Sequence, residues 1–197
     1  MDAEEMIGMG AIWRFFSGED DTCPAPEQSA QRTSVWGFLT GQHAPKTVPE
    51  QTSAAYHEAG HARAVHVGGA TVTGMEVHAD GSGKTGWTWD PVWTWDRRRA
   101  TDEQKRRAEL VIYVAGQESE CQYLMDRHGY SYKEALQATH AGASGDRRNF
   151  KRRAEGTGYT FDGMRGEVHR LVRRHAYTIE TNAKPLDRHG RRGGTWV

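Results

Sequence analysis

A chain of 197 residues with mean hydropathy −0.83 and 36% hydrophobic residues has room for one domain with a small core and a heavily polar surface. Lys and Arg balance Asp and Glu at 26 each, yet residues 1–96 hold 5 basic and 13 acidic groups while residues 97–197 hold 21 and 13. No apolar run approaches the roughly 20 residues that span a bilayer. The acidic start Met1-Asp2-Ala3-Glu4-Glu5 is unlike a secretion signal, and Cys23 and Cys121 form no Cys-x-x-Cys pair, so a cytoplasmic setting without membrane partners is expected.

Residues 1–46 mix Gly, Pro, Ser, Gln and acids around isolated aromatics such as Trp13, Trp36 and Phe38. They read as an N-terminal arm, partly disordered or docked through those aromatics. Thr47-Val48-Pro49-Glu50 supplies a capping box with proline in the first turn, and Gly68-Gly69 supplies a stop, which predicts a helix of roughly five turns between them. Thr71–His78 and Thr85–Trp89 are rich in β-formers and are joined by Asp80-Gly81-Ser82-Gly83, a turn signal, so a hairpin follows. From Thr101, which can form a capping box with Gln104, the spacing of Ala108, Val111, Ile112, Ala115, Ser119 and Tyr123 predicts a second helix to about Arg127. Ser131 with Glu134 opens a short helical segment, and Ser144 caps another through Phe150. Asp162 opens a last helix that uses Val168, Leu171, Val172, His175 and Ile179 and ends at Pro185. The remainder, 184–197, reads as a disordered basic tail. The basic runs Arg97–Arg99, Lys105–Arg107, Lys151–Arg153 and Arg173-Arg174 lie in segments that read as helical, and solvated helix faces explain them better than a nucleic-acid surface.

One run carries chemistry. His57-Glu58-Ala59-Gly60-His61 falls inside the first predicted helix. Two histidines four apart share a helix face, with Cβ atoms about 5–6 Å apart, so both imidazoles can reach one Zn²⁺ at about 2.0–2.1 Å. Glu58, one residue along, leans toward the open side of that metal, where it can act as general base toward water that the ion acidifies. The longer pattern His-Glu-x-x-His-x-x-Gly-x-x-His is excluded, because Ala64 and Val67 stand where it needs Gly and His. Glu76 and Asp80 have the spacing of a helical ligand pair but lie in the predicted hairpin, where that spacing does not bring them together.

Ala55-Tyr56-His57-Glu58-Ala59-Gly60-His61-Ala62 resembles the zinc helix of the FtsH-type ATP-dependent metalloproteases. Ala115-Gly116-Gln117-Glu118-Ser119-Glu120 and Gly142-Ala143-Ser144-Gly145-Asp146 resemble that family's later motifs, in the same order, over residues 47–183. The resemblance implies an α+β, mainly helical domain: a zinc helix, a small β-hairpin, then a helical bundle. It implies Asp146 as the third zinc ligand and Glu120 as an acid that orients a zinc histidine; His140 or Asp162 is the alternative ligand if Asp146 is not one. Gln117 and Ser119 depart from the family's Arg and Ala. Only some 46 residues precede the zinc helix, too few for the family's ATPase module. Gly81-Ser82-Gly83-Lys84-Thr85 mimics the end of a phosphate-binding loop, but His78 stands where the first glycine should be and a strand follows instead of a helix.

The expected activity is a zinc-dependent endopeptidase, ATP-independent by itself, that cuts unfolded or flexible polypeptides, alone, as a homo-oligomer or beside a separate unfoldase. Its substrate would lie extended along a strand edge beside the zinc helix. Trp87, Trp89, Trp93 and Trp95 alternate near that edge, as a substrate platform, as ordinary packing or as a partner interface. Two rival readings are a catalytically silent zinc-binding adaptor and a nucleic-acid-associated protein with a structural metal.

Overall fold

The computed structural model describes residues 49–89, 94–95, 98–99 and 101–192, with backbone alone for 94–95, 98–99 and 192. The expected arm at 1–46, Cys23 and Trp93 lie outside them. The fold is α+β and mainly helical. Helix α1 (Glu50–Val67) leads to strand β1 (Ala70–Val77), which returns as β2 (Gly83–Trp89). Helices α2 (Asp102–His128), α3 (Tyr132–Ala138), α4 (Ser144–Ala154), α5 (Phe161–Arg174) and α6 (Ala176–His189) follow.

Helix α1 is central. Ala54, Ala55, Ala59, Ala62, Ala64 and Val65 bury it around most of its circumference, and these small side chains let neighbours come close. At Gly60 a Cβ would lie 2.4 Å from Ser119 Cβ and 2.6 Å from the Ala115 carbonyl oxygen, so α1 and α2 meet backbone to backbone. The core forms around this crossing from Leu110, Ile112 and Val114 of α2, Val168 and Leu171 of α5, and Ile179 and Leu186 of α6. Removing each such side chain from water contributes about 1.5–3 kcal/mol.

Caps set most helix bounds. Thr101 and Gln104 form a reciprocal capping box at α2, as do Ser131 and Glu134 at α3, and Gly129 ends α2 in the left-handed conformation (φ 63°). Three expected bounds need correction. The N-cap of α1 is Pro49, which has no side chain able to accept a bond, so no capping box opens that helix among the described residues. Ser144 is the first residue of α4 and not its cap, and the helix runs on to Ala154. Thr160, not Asp162, caps α5 by accepting from the Gly163 amide at 3.0 Å.

The single last helix of the sequence reading is two helices that meet at His175, and Pro185 does not end the second. Proline removes one helical hydrogen bond and costs about 3 kcal/mol in a helix interior. Here Ile179, Ala183 and Leu186 are spaced along one face, all buried, and they carry α6 through to His189. Thr52 Oγ1 donates to Asp187 Oδ1 at 3.0 Å, and Gly190 (φ 69°) returns its N–H to the Leu186 carbonyl at 2.8 Å. The expected disordered tail is therefore helical to His189. Beyond it, Arg191–Arg192 form β5, which pairs antiparallel with Glu76 and Met75 of β1.

The sheet order is β2-β1-β5, all antiparallel. Val72, Met75 and Val77 of β1 point inward, and the register slips between Val72 and Gly74, where β1 bulges. A short ladder pairs β3 (Thr94–Trp95) with β4 (Arg98–Arg99), so that basic pair is strand and not helix.

Candidate metal centre

His57 and His61 leave α1 toward α2 and are 8% and 6% exposed. Each imidazole is fixed through Nδ1. His57 Nδ1 lies 3.0 Å from Glu120 Oε2, and Glu120 Oε1 accepts from Ser53 Oγ at 2.7 Å. His61 Nδ1 lies 2.7 Å from the Ile112 carbonyl oxygen. Both neighbours are acceptors that suit a proton on Nδ1, the tautomer that would leave Nε2 free for a cation.

The two Nε2 atoms converge on Asp146, in the first turn of α4. Its Oδ2 is 3.0 Å from His57 Nε2 and 3.2 Å from His61 Nε2, and one donor atom from each of the three residues lies within 4.8 Å of the others. Three acceptors facing one another repel unless positive charge stands among them. The pKa directions state the same demand. Burial alone would lower the His57 value, but the Asp146 and Glu120 carboxylates outweigh it and raise it well above the ordinary imidazole range. For His61, burial also lowers and Asp146 chiefly raises, with a net rise. Asp146 is pushed up by burial but pulled further down by the two imidazoles, to well below the usual carboxylate range.

Two imidazole nitrogens and a carboxylate oxygen could hold a metal ion and are a donor set that zinc, among others, accepts. With bonds of about 2.0–2.1 Å, neighbouring ligand atoms of a tetrahedral site stand about 3.3 Å apart, close to the two Asp146–histidine separations, within a set that spans up to 4.8 Å. The α2 backbone leaves space for it at Gly116, where a Cβ would fall 2.5 Å from both Nε2 atoms. Any side chain there would fill the place between the imidazoles.

Glu58 is 5% exposed and lines the same cavity, of about 830 Å³, as His57, His61 and Asp146. Trp87 and Tyr113 form part of its wall, edge to face with ring centroids 6.0 Å apart. Trp89 is occupied differently, its indole N–H donating to Glu109 at 3.1 Å. The other candidate ligands stand apart. Glu76 pairs with Lys84 at 3.0 Å, Asp80 accepts from Ser82, Asp162 pairs with Arg165 at 2.8 Å, and His66, His78 and His140 are exposed.

Sequence reasoning missed a second polar cluster behind α2. Glu118 is 0% exposed; Tyr132 Oη donates to its carboxylate at 3.0 Å, and Arg165 Nη1 lies 2.5 Å from Oε1. Beside it the Gln117 side-chain oxygen accepts from Arg165 at 3.0 Å and from Arg147 at 3.4 Å, while its amide donates to Thr139. Arg147 follows the candidate ligand Asp146 in sequence and lies over the Phe161 ring at 4.4 Å. The signal was present: Gln117-Glu118-Ser119-Glu120 is four polar residues in a row, which on a helix near the core must bury some of them.

No protein-family model, curated protein or solved structure matches the chain. Among the described residues, no helix is long and apolar enough to cross a membrane.

Proposed function

We propose that this chain is a zinc-dependent endopeptidase resembling the peptidase domain of FtsH-type proteases, with His57, His61 and Asp146 as metal ligands and Glu58 as general base. The observation that carries this reading is the convergence of two Nε2 atoms and one carboxylate oxygen on the wall of a cavity of about 830 Å³ that Glu58 also lines.

A zinc ion held there would polarise a peptide carbonyl and acidify water. The protein's own parts follow from their surroundings. Glu120 holds the His57 proton on Nδ1 and raises the basicity of Nε2, and the Ile112 carbonyl does the same for His61. Glu58 takes the proton from the attacking water and passes it to the leaving amine. The Gly81–Thr85 run is a turn and the start of β2, and so lacks the loop-to-helix geometry of a phosphate-binding loop. Cleavage is expected to need no ATP and to be restricted to what thermal opening exposes.

The test is zinc content and casein cleavage for the purified chain, Glu58→Gln and Asp146→Ala, with and without ATP and magnesium. Glu58→Gln should keep near-stoichiometric zinc and lose cleavage, and Asp146→Ala should lose zinc. Casein should be cut without nucleotide while a stable folded protein survives. Zinc without turnover would leave a metal-binding adaptor in place of the enzyme, and zinc retained by Asp146→Ala would remove the third ligand from the proposal.

A further inference from the structure

The Gly83-Lys84-Thr85 segment, set aside above as a phosphate-loop mimic, has another place in the fold. It opens β2, and alternate residues of a strand face the same way. Both Gly83 and Thr85 meet Glu58. Thr85 Oγ1 lies 2.6 Å from Glu58 Oε2 and 3.1 Å from the Glu58 main-chain oxygen. The hydroxyl has one proton, and the charged carboxylate is the stronger acceptor, so Oε2 receives it. At Gly83 a Cβ would stand 2.8 Å from Glu58 Oε1 and 2.9 Å from its Cγ.

We infer that Thr85 and Gly83 form a positioning pair that fixes the Glu58 carboxylate: Thr85 pins one oxygen, and the bare backbone of Gly83 leaves room for the other. Resting on the peptidase reading, this deepens it by naming what aims the base. A glutamate side chain has three rotatable bonds, so burial alone leaves Glu58 several orientations within the cavity wall. One hydrogen bond to Oε2 selects among them, and Oε1, which has no hydrogen-bond donor among the described residues, remains for the proton of the reacting water. Because β1 pairs with β2 through Met75 opposite Thr85 and Val77 opposite Gly83, the buried side chains of Met75 and Val77 fix the strand that carries the pair. The base is thus aimed from the sheet, while the metal ligands are aimed from the helices.

The experiment compares the zinc-loaded chain with Thr85→Val, Thr85→Ser, Glu58→Gln and the double variant Glu58→Gln/Thr85→Val. It measures zinc content, melting temperature, kcat and KM on a casein-derived peptide, and calorimetric affinity for a short peptide hydroxamate, whose acidic N–OH offers a proton to Glu58. Thr85→Val should lower kcat by about tenfold or more at nearly constant KM, as expected for a hydrogen bond to a charged group, and weaken the hydroxamate by a similar factor. Zinc content and melting temperature should stay close to the parent. Thr85→Ser, which keeps the hydroxyl, should recover most of the loss. In the Glu58→Gln background, adding Thr85→Val should cost nothing further in hydroxamate affinity, because the two act as one unit.

An unchanged kcat in Thr85→Val, with Glu58→Gln inactive, overturns this inference and leaves the peptidase reading intact. A loss in Thr85→Val that repeats in full on the Glu58→Gln background, or that tracks a fall in zinc or melting temperature, also overturns it. A zinc-loaded parent that cuts neither casein nor the peptide overturns both readings together.

Discussion

On one side of α2, Glu118 is an acid whose oxygens both receive the Tyr132 hydroxyl's bond and one of which meets Arg165; on the other, Asp146 faces two imidazole nitrogens, which meet its charge only when they are protonated or share a cation with it. Both acids are packed against one helix and both are largely removed from water. The first cluster balances its charge internally, and the second balances only when a cation or protons stand among its three acceptors. Burying polar groups is therefore not itself the mark of a site. What separates the two is whether the donors are already supplied.

The sharpest way to break the comparison is at Gly116. A Val there would put side-chain atoms between the imidazoles, so Gly116→Val should abolish stoichiometric zinc binding while the Glu118 cluster stays closed. Metal analysis with the near-ultraviolet spectrum checks both halves. Next comes Arg165→Met, which strands a fully buried carboxylate and should cost about 3–5 kcal/mol in urea unfolding, with zinc still bound by the folded fraction. Glu120→Gln is milder. It replaces the charged acceptor of His57 Nδ1 with a neutral one and should weaken zinc by about ten- to a hundredfold in chelator competition, with little change in the apo-protein's melting temperature. The smallest effect is expected at Lys84, 73% exposed and paired with Glu76, where Lys84→Ala should shift stability by under about 1 kcal/mol and leave zinc alone. A large loss there would mean that the hairpin does more for the metal centre than carry Thr85 and Gly83.

The sequence made the local parts of this arrangement legible. A four-residue spacing inside a helix aims two histidines regardless of tertiary structure, and the Thr101–Gln104 and Ser131–Glu134 caps are read from short patterns for the same reason. Asp146 came only from a resemblance, since an acid in a first helical turn is favoured by the helix dipole with or without a metal. Thr85 and Gly116 were not legible at all. Their contacts depend on which way β2 and α2 pack against α1, and neither residue type announces it. Pro185 misled for a related reason: its local cost was read correctly, but the burial of Ile179, Ala183 and Leu186 that offsets it is tertiary.

The separation between the partners of the centre carries a kinetic consequence. His57 and His61 are brought together by a single helix, which forms in about a microsecond, whereas Asp146 lies 89 residues away along the chain from His57. Loop closure predicts the order of assembly, the pair of imidazoles first and the carboxylate after the hairpin and α2 have docked, and φ-values at Ala59 and Asp146 would check it. An ion held by the proposed ligands would join the two ends in the native state and stabilise that state by mass action. If the carboxylate joins the site only after the folding transition state, removal of a bound metal should appear mainly as faster unfolding.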